Sequence, residues 1–362
     1  MGRSAAILNP GPSSFERPQQ SVVIGPLRRY AARAYVSVKT TVEVTMTLEL
    51  SGIHHLTAIT AQAPKNLAFY TGTLGMRLIK KTVNQDDTSA YHLFYGDGAA
   101  SPGSDLTFFD WPTGREKRGT HAVTLTGLRV NSEDDLAFWQ KHLTAAGVST
   151  SGIRDRVGYR ALDFEDFEGQ RFRLVADGKG PPAHPWARSP IPAEHQIKGL
   201  GPITMSVPDL KRTEPVLTML MNMRKVRTHA ARGSEGEVHV FEMGEGGPAA
   251  ELHVAVEPGL PFAQQGAGGV HHVAFRTPDK AQFDQWVQRV NDLRMPSSGE
   301  VERYYFTSLY FREPNGILFE IATDGPGFAV DEPLETLGER LALPPFLEPK
   351  RAAIEAKLKP LG

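Results

Sequence analysis

The pattern of hydrophobic and polar positions repeats four times along the chain. Each repeat begins with a short apolar strand, continues with a helix that carries aromatic residues, and ends in further strands after a glycine-marked turn. The four first strands begin near residues 53, 121, 203 and 271. Each unit reads as strand–helix–strand–strand–strand. The sequence therefore predicts an α+β protein of four βαβββ modules in two domains.

Prolines mark the connection between the two predicted domains, because they disfavour both helix and interior strand. Five of them, Pro181, Pro182, Pro185, Pro190 and Pro192, lie in one short segment. The predicted parts are an N-terminal extension over 1–49, a first domain over 50–177, a linker over 178–197, a second domain over 198–326, and a C-terminal arm with a helix over 327–362.

The N-terminal extension is basic and has no clear hydrophobic periodicity. Up to residue 45 it carries Arg3, Arg17, Arg28, Arg29, Arg33 and Lys39 against Glu16 and Glu43. An organellar transit peptide and a mis-assigned start upstream of Met46 both fit this composition. The segment lacks the continuous apolar core of a signal peptide, and the second interpretation is favoured. In either case we expect it to take no part in the fold.

Composition excludes several classes of function. The 362 residues include 40 Lys or Arg and 41 Asp or Glu, which removes the electrostatic argument for nucleic acid or an anionic membrane as the main partner. The chain has no cysteine, so thiolate nucleophiles, iron–sulfur clusters and cysteine zinc sites are excluded. No run of 18 apolar residues predicts a membrane span, and we expect a cytoplasmic protein.

Any metal must then be held by histidine and carboxylate. Two His-His pairs, His54/His55 and His271/His272, occupy the first strands of modules 1 and 4. Side chains alternate across a strand, so we expect only one histidine of each pair to face a cavity. His272 shares its face with the small residue Ala274, and parity favours His55 and His272 as the cavity-facing members.

A carboxylate stands out on the last strand of module 4. Glu320 lies in an apolar strand, where an unpaired charge is costly to bury, and this predicts a cationic partner or a metal. When Phe164–Gly169 is aligned with Phe311–Gly316, Arg173 of module 2 takes the place of Glu320. In module 1 the corresponding strand contains Leu106–Phe109, which offers no usual ligand.

His55, His272 and Glu320 together form a two-histidine, one-carboxylate set. Three ligands on one face of a six-coordinate ion leave positions open, as in non-haem Fe(II) enzymes that bind substrate and O2 together. The other histidines lack a matching carboxylate. We expect His121 and His253 to be structural, and His92, His142, His184, His195, His229 and His239 to be surface or hydrogen-bonded residues.

Several motifs resemble the vicinal oxygen chelate superfamily. They are Phe69-Tyr70 with Leu74-Gly75, Glu313-Pro314-Asn315-Gly316 followed by Glu320, and the two His-His pairs. Within the superfamily, the stretches Tyr91–Asp97, Pro102-Gly103, Arg303–Tyr310 and Gly327-Phe328 resemble ring-cleaving dioxygenases of the hydroquinone type. The resemblance implies modules paired into open barrels around a metal, Fe(II) with Mn(II) as the alternative, and a small aromatic diol and O2 as substrates.

The resemblance also implies roles for three further residues. Tyr310 and Arg303 would orient the substrate oxygen, and His54 would assist proton transfer or orient its neighbouring ligand. A core aromatic and a solvated strand-end charge are the alternatives for Tyr310 and Arg303. For the whole chain, a glyoxalase-like isomerase or lyase and a non-catalytic protein that binds small aromatics are the competing functions. The protein is also a candidate homo-oligomer.

Overall fold

The computed structural model describes residues 48–230 and 236–361, which contain the four expected βαβββ modules in order. The predicted extension lies outside the described residues except for its last two positions. Module 1 consists of β1 (Ile53–Thr60), α1 (Ala63–Ala68, continued by a π-helical turn, Phe69–Thr73), β2 (Arg77–Val83), β3 (Tyr91–Gly96) and β4 (Asp105–Asp110). Module 2 consists of β5 (Ala122–Val130), α2 (Glu133–Ala145), β6 (Thr150–Arg156), β7 (Tyr159–Glu165) and β8 (Arg171–Ala176).

The second half of the chain repeats this order. Module 3 consists of β9 (Gly199–Val207), α3 (Leu210–Pro215, continued by a π-helical turn, Val216–Leu220), β10 (Arg224–Ala230), β11 (Glu237–Glu242) and β12 (Glu251–Val256). Module 4 consists of β13 (Val270–Thr277), α4 (Lys280–Asp292), β14 (Ser297–Glu302), β15 (Phe306–Arg312) and β16 (Leu318–Pro326). A short helix, α5 (Arg351–Glu355), follows in the C-terminal arm. The predicted fold class is confirmed.

The modules pair across the chain and not in sequence. One eight-stranded sheet has the order β14-β15-β16-β13-β1-β4-β3-β2 and joins module 4 to module 1. The other has the order β10-β11-β12-β9-β5-β8-β7-β6 and joins module 3 to module 2. Each sheet thus takes one module from each half of the chain, and the two His-His strands, β1 and β13, become direct antiparallel neighbours. The predicted domain boundaries stay a prediction.

The longer helices cover one face of each sheet. Ser132 and Asp279 cap α2 and α4 by accepting hydrogen bonds from backbone N–H groups of the first turn. In α4, Phe283, Trp286 and Val290 recur at helical spacing and are fully buried in the main core. This packing leaves the other face of the sheet available for a cavity. No helix in the described part of the chain is long and apolar enough to cross a membrane.

The C-terminal arm is anchored to the first sheet by buried charges. Lys80 on β2 is fully buried and donates hydrogen bonds to Asp331, at 2.7 Å, and to Glu332. The hydroxyl of Tyr305 donates to Asp331 at 3.0 Å. A buried ammonium is tolerated only when it is paired and hydrogen-bonded. The arm therefore completes the structure of module 1.

Candidate metal centre

Three buried side chains converge between the neighbouring strands β1, β13 and β16. His272 Nε2 lies 3.0 Å and His55 Nε2 lies 3.2 Å from Glu320 Oε2, and the two Nε2 atoms lie 3.3 Å apart. Within residues 48–230 and 236–361, this is the only group of three such side chains whose donor atoms lie within 4.8 Å of one another. The structure thus brings together the three residues that the sequence predicts as ligands.

The donor atoms have the spacing that a metal ion requires. For metal–ligand bonds of about 2.1 Å, two ligand atoms at right angles lie about 3.0 Å apart. Glu320 Oε2 is buried and has no hydrogen-bond partner among the described residues, whereas Oε1 accepts a hydrogen bond of 2.5 Å from Ser308 Oγ. A buried carboxylate oxygen without a partner is costly, and a cation at this point would compensate that cost. The residues present therefore fit a divalent metal.

Each His-His pair contains an irregularity that sequence parity does not anticipate. The pairing of β1 with β13 shifts register between Ile53 and His55 and again between Thr57 and Ala58. The extra residues at these two bulges are His54 and His271. A bulge breaks the alternation of side chains and re-aims them locally. The expectation that only one histidine of each pair faces the cavity is therefore wrong for module 4, since His271 and His272 both line it.

The two pairs share one hydrogen-bonding arrangement. His54 Nδ1 lies 2.9 Å from His55 Nδ1, and His271 Nδ1 lies 2.7 Å from His272 Nδ1. Burial, together with the adjacent histidine, lowers the pKa of His54 and of His271 to about 3. Both rings are thus neutral near pH 7. A His55 that offers Nε2 to a metal carries its proton on Nδ1 and donates it to His54, and the same holds for His272 and His271.

The charge of Glu320 is preserved despite its burial. Burial by itself raises the pKa of this carboxyl, but His55 and His272 together bring it well below the ordinary value. Burial also lowers the pKa of His272, in spite of the nearby charge of Glu320. The centre therefore holds an ionised carboxylate beside two imidazoles, and the ionised form of Glu320 is the one that metal binding requires.

A cavity of about 350 Å³ opens onto these donor atoms. Tyr310 on β15 lies directly beside Glu320, and its ring makes an edge contact with the His272 ring at 5.9 Å. Arg303 Nε donates a hydrogen bond of 3.3 Å to the Tyr310 hydroxyl, and the guanidinium also binds Asp86 at 2.9 and 3.1 Å. Burial, and next the charge of Glu320, raises the pKa of Tyr310. Both side chains line the cavity.

Aromatic residues from both modules form much of the cavity wall. His55 and Phe306 lie with ring centroids 5.1 Å apart, and Phe306 also contacts His54 at 5.3 Å. On the module 1 side, the rings of Trp111 and Phe109 pack against each other with centroids 4.8 Å apart. The cavity is lined by, among others, Phe94, Phe109, Trp111, Tyr305, Phe306 and Leu318. Its volume and aromatic lining suit a small aromatic molecule.

His92 lies in the same cavity, where sequence reasoning did not place it. Its ring packs against Phe94 at 3.9 Å and Phe109 at 4.4 Å, and its Nε2 lies 3.0 Å from Thr107 Oγ1. The residue does form a hydrogen bond, as expected, but it belongs to the site and not to the surface. The sequence repeat could have indicated this location, because it aligns β3, which carries His92, with β15, which carries Tyr310 of the same cavity.

Thr107 occupies the position in module 1 that is equivalent to that of Glu320 in module 4, where a fourth ligand would lie. In module 4, Glu320 pairs with Ala274, two residues after His272. In module 1, Thr107 pairs in the same way with Thr57, two residues after His55. The two threonine hydroxyls lie 2.8 Å apart and bond to each other. Module 1 therefore contributes one candidate metal ligand, and module 4 contributes two.

Comparison with known proteins assigns the family. The family model for the glyoxalase, bleomycin resistance protein and dioxygenase superfamily matches residues 52–174 and 199–321. The chain belongs to this superfamily, as the resemblance implied. A solved structure of glyoxalase I from Zea mays, 14% identical, has a TM-score of 0.57 over 75% of this chain and 92% of the other, and it shares the fold alone.

Closer relatives define the class of enzyme. The chain is 47% identical over 317 residues to MhqA of Bacillus subtilis, a candidate ring-cleaving dioxygenase, in a match covering 87% of this chain and 100% of the relative. It is 31% identical over 314 residues to a chlorohydroquinone/hydroquinone 1,2-dioxygenase of Sphingobium indicum, covering 83% and 93%. The crystal structure of a candidate dioxygenase from Bacillus subtilis has a TM-score of 0.79 at 35% identity, covering 86% and 97%. The chain is a ring-cleaving dioxygenase.

Proposed function

We propose that the protein is a non-haem Fe(II) enzyme that cleaves the ring of a hydroquinone-type diol with O2. The observation that carries this proposal is the convergence of His55, His272 and Glu320 on one point, with Thr107 where a fourth ligand would lie. Two histidines and one carboxylate with open positions are characteristic of iron enzymes that bind substrate and O2 together. Mn(II) accepts the same donors and is the alternative metal.

The metal would supply Lewis acidity toward a phenolic oxygen and redox chemistry toward O2. The chain's own residues would bind and orient the ring. Tyr310 keeps its hydroxyl proton because its pKa is raised, and it would donate a hydrogen bond to the substrate oxygen beside Glu320. Arg303, which contacts that hydroxyl, would place a positive charge next to the phenolate. His54 and His271 would fix the ring orientation of the two ligands.

The size and lining of the cavity support a small aromatic substrate. A volume of about 350 Å³ is near the lower end for small-molecule sites, and the walls present aromatic faces and few charges. A relative at 31% identity is named for chlorohydroquinone and hydroquinone, and this supports a para-diol over a catechol. The same walls would keep bulk water from the reacting ring.

A glyoxalase-like isomerase remains the competing function on this fold. Such sites usually fill four ligand positions, and Thr107 offers only a hydroxyl that is already bonded to Thr57 and His92. A non-catalytic aromatic-binding protein would need no converging donor atoms. The aromatic-binding alternative does not explain why Glu320 Oε2 is buried without a hydrogen-bond partner.

The direct test is oxygen uptake by protein purified without oxygen and loaded with Fe(II) or Mn(II). We expect O2 consumption in equal amounts with hydroquinone or chlorohydroquinone loss, and much less with catechol. Glu320→Gln, which keeps the shape of the side chain but not its charge, should abolish both metal retention and uptake. Metal-dependent conversion of substrate without O2 would replace the proposal with the isomerase.

A further inference from the structure

His92 is held in one orientation at the module 1 end of the cavity. Its Nε2 bonds to Thr107, which bonds in turn to Thr57, and two aromatic rings pack against the imidazole. A side chain fixed by a hydrogen bond and by packing on its ring is preorganised for binding. Such fixation is unexpected for a histidine with a purely passive role.

Strand pairing identifies the residue of module 4 that is equivalent to His92. His92 pairs with Phe109, two residues after Thr107, and Ser308 pairs with Ala322, two residues after Glu320. The two residues are thus equivalent. Ser308 hydrogen-bonds to Glu320 across its strand pair, and His92 hydrogen-bonds to Thr107 across the matching pair. Where Ser308 of module 4 holds the candidate ligand Glu320, His92 of module 1 holds Thr107 and lines the same cavity.

The second ring nitrogen of His92 is free to bind a ligand. With Nε2 engaged by Thr107, no hydrogen-bond partner for Nδ1 occurs among the residues that the structure describes, and Nδ1 is not sealed from the cavity. An imidazole whose Nε2–H donates to a threonine hydroxyl carries a lone pair on Nδ1. That lone pair would accept a hydrogen bond from a phenolic hydroxyl, which is a good donor.

We propose that His92 binds the second hydroxyl group of the diol, the one that the metal does not hold, and so selects diols over simple phenols. The inference rests on the proposed function, since it assumes that the first hydroxyl is placed near His55, His272 and Glu320. The substrate ring then spans the cavity from the module 4 side to the module 1 side. His92 fixes the far end, and Tyr310 with Arg303 fixes the near end.

The experiment compares ligands that have or lack the second hydroxyl proton. Iron-loaded protein under nitrogen is titrated with hydroquinone, 4-methoxyphenol, catechol and 2-methoxyphenol, and dissociation constants are obtained for wild type and His92→Phe. For one diol and its methyl ether, we expect His92→Phe to weaken diol binding by about tenfold and to leave ether binding unchanged. The pair that shows this difference identifies a para- or an ortho-diol.

Matched variants separate binding from structure. His92→Gln keeps a hydrogen-bonding side chain and should recover part of the preference for the diol. Thr107→Val removes the hydroxyl group to which His92 Nε2 bonds, and we expect it to weaken diol binding about threefold while ether binding stays unchanged. This variant keeps the proposal testable if His92→Phe does not fold. His184→Gln, in a histidine bonded to Asp97 and Ser101 outside the cavity lining, is the control and should change nothing.

The outcomes distinguish this inference from the proposed function. Equal losses for a diol and its ether, or no loss for either diol in His92→Phe and Thr107→Val, would overturn the role of His92. Iron-loaded wild type that binds diols but consumes no O2 with them would instead overturn the dioxygenase. Iron content should be the same in all of these variants, because none of them alters a ligand.

Discussion

The two sheets have the same strand order but differ at every position that matters for a metal. Strand registers make four positions equivalent: they hold His55, His272, Glu320 and Thr107 in the first sheet, and Leu125, Pro202, Arg173 and His253 in the second. The second sheet thus has no carboxylate and one histidine there. The fold alone does not make the site, and four side chains decide its chemistry.

The second sheet balances its charges within the protein. Arg173 binds both oxygens of Asp163 at 2.6 and 3.0 Å, and Asp163 pairs with it as Tyr310 pairs with Glu320. His253 lies 2.7 Å from Glu251. In the first sheet, Glu320 Oε2 has no hydrogen-bond partner among the described residues. The candidate metal centre is therefore distinguished by a buried carboxylate oxygen without a hydrogen-bond partner close to two histidine nitrogens, and not by the burial of charge in general.

Cavity size would point to the wrong sheet. The cavity beside the second sheet has about 1320 Å³, against about 350 Å³ at the candidate metal centre. The larger one is lined by arginines and carboxylates, and several of these already bind each other, for example Arg118 with Glu165 at 2.7 Å. Convergence of donor atoms is therefore the better criterion in this protein.

The largest effect is expected when Glu320 of the first sheet is replaced by arginine, the residue type at the equivalent position of the second sheet. Glu320→Arg should remove the metal and reduce turnover by more than about a hundredfold, beyond the losses typical of residues that only contact a ligand. Iron analysis and O2 uptake measure both effects. Glu335→Gln, an exposed carboxylate in the arm, is the control. Retention of iron by Glu320→Arg would contradict the ligand assignment.

Thr107→Glu should have the next largest effect, because it makes module 1 resemble module 4. A fourth ligand would fill a position that the reaction needs, so metal should dissociate more slowly while O2 uptake falls by about tenfold or more. Thr107→Gln, with the same shape and no charge, serves as the matched variant. Uptake at the wild-type rate in Thr107→Glu would show that the position does not face the metal.

Substitution of either histidine at a bulge, His54 or His271, should have a smaller effect, of similar size for both residues. His54→Phe and His271→Phe each remove one Nδ1–Nδ1 hydrogen bond, and each should weaken metal affinity by about 10- to 100-fold. Competition with a chelator measures the affinity. His253→Phe in the second sheet should leave it unchanged. A large effect from substituting one of these histidines and none from substituting the other would contradict their equivalent roles.

The smallest effect is expected in the second sheet and concerns stability alone. Arg173→Leu should cost about 1–3 kcal/mol in the free energy of unfolding and leave iron content intact. Burial raises the pKa of Asp163, but Arg173 and Arg156 lower it overall, so its contribution is present above an ordinary pKa of about 3.9 and is lost as pH falls below that value. Urea unfolding at pH 7 and at pH 3.5 should therefore show a smaller difference between variant and wild type at pH 3.5.

Local periodicity was sufficient for much of the fold and for selecting the candidate ligands that the structure brings together. The repeat predicts all four modules, and the apolar surroundings of Glu320 mark it as the unusual carboxylate. Alternation favours His55 and His272, but it fails at His54 and His271, where a bulge adds one residue to each strand. A bulge depends on the pairing partner, so neither strand shows it alone.

The sequence by itself determined which residue types could hold a metal and which module order the chain would form, because side-chain chemistry and hydrophobic period are local properties. Only the tertiary structure decided that module 1 pairs with module 4, that Thr107 takes the position equivalent to Glu320, and that His92 lines their cavity. The reason is physical: strand pairing joins residues more than two hundred positions apart, and its register is set by packing over the whole sheet.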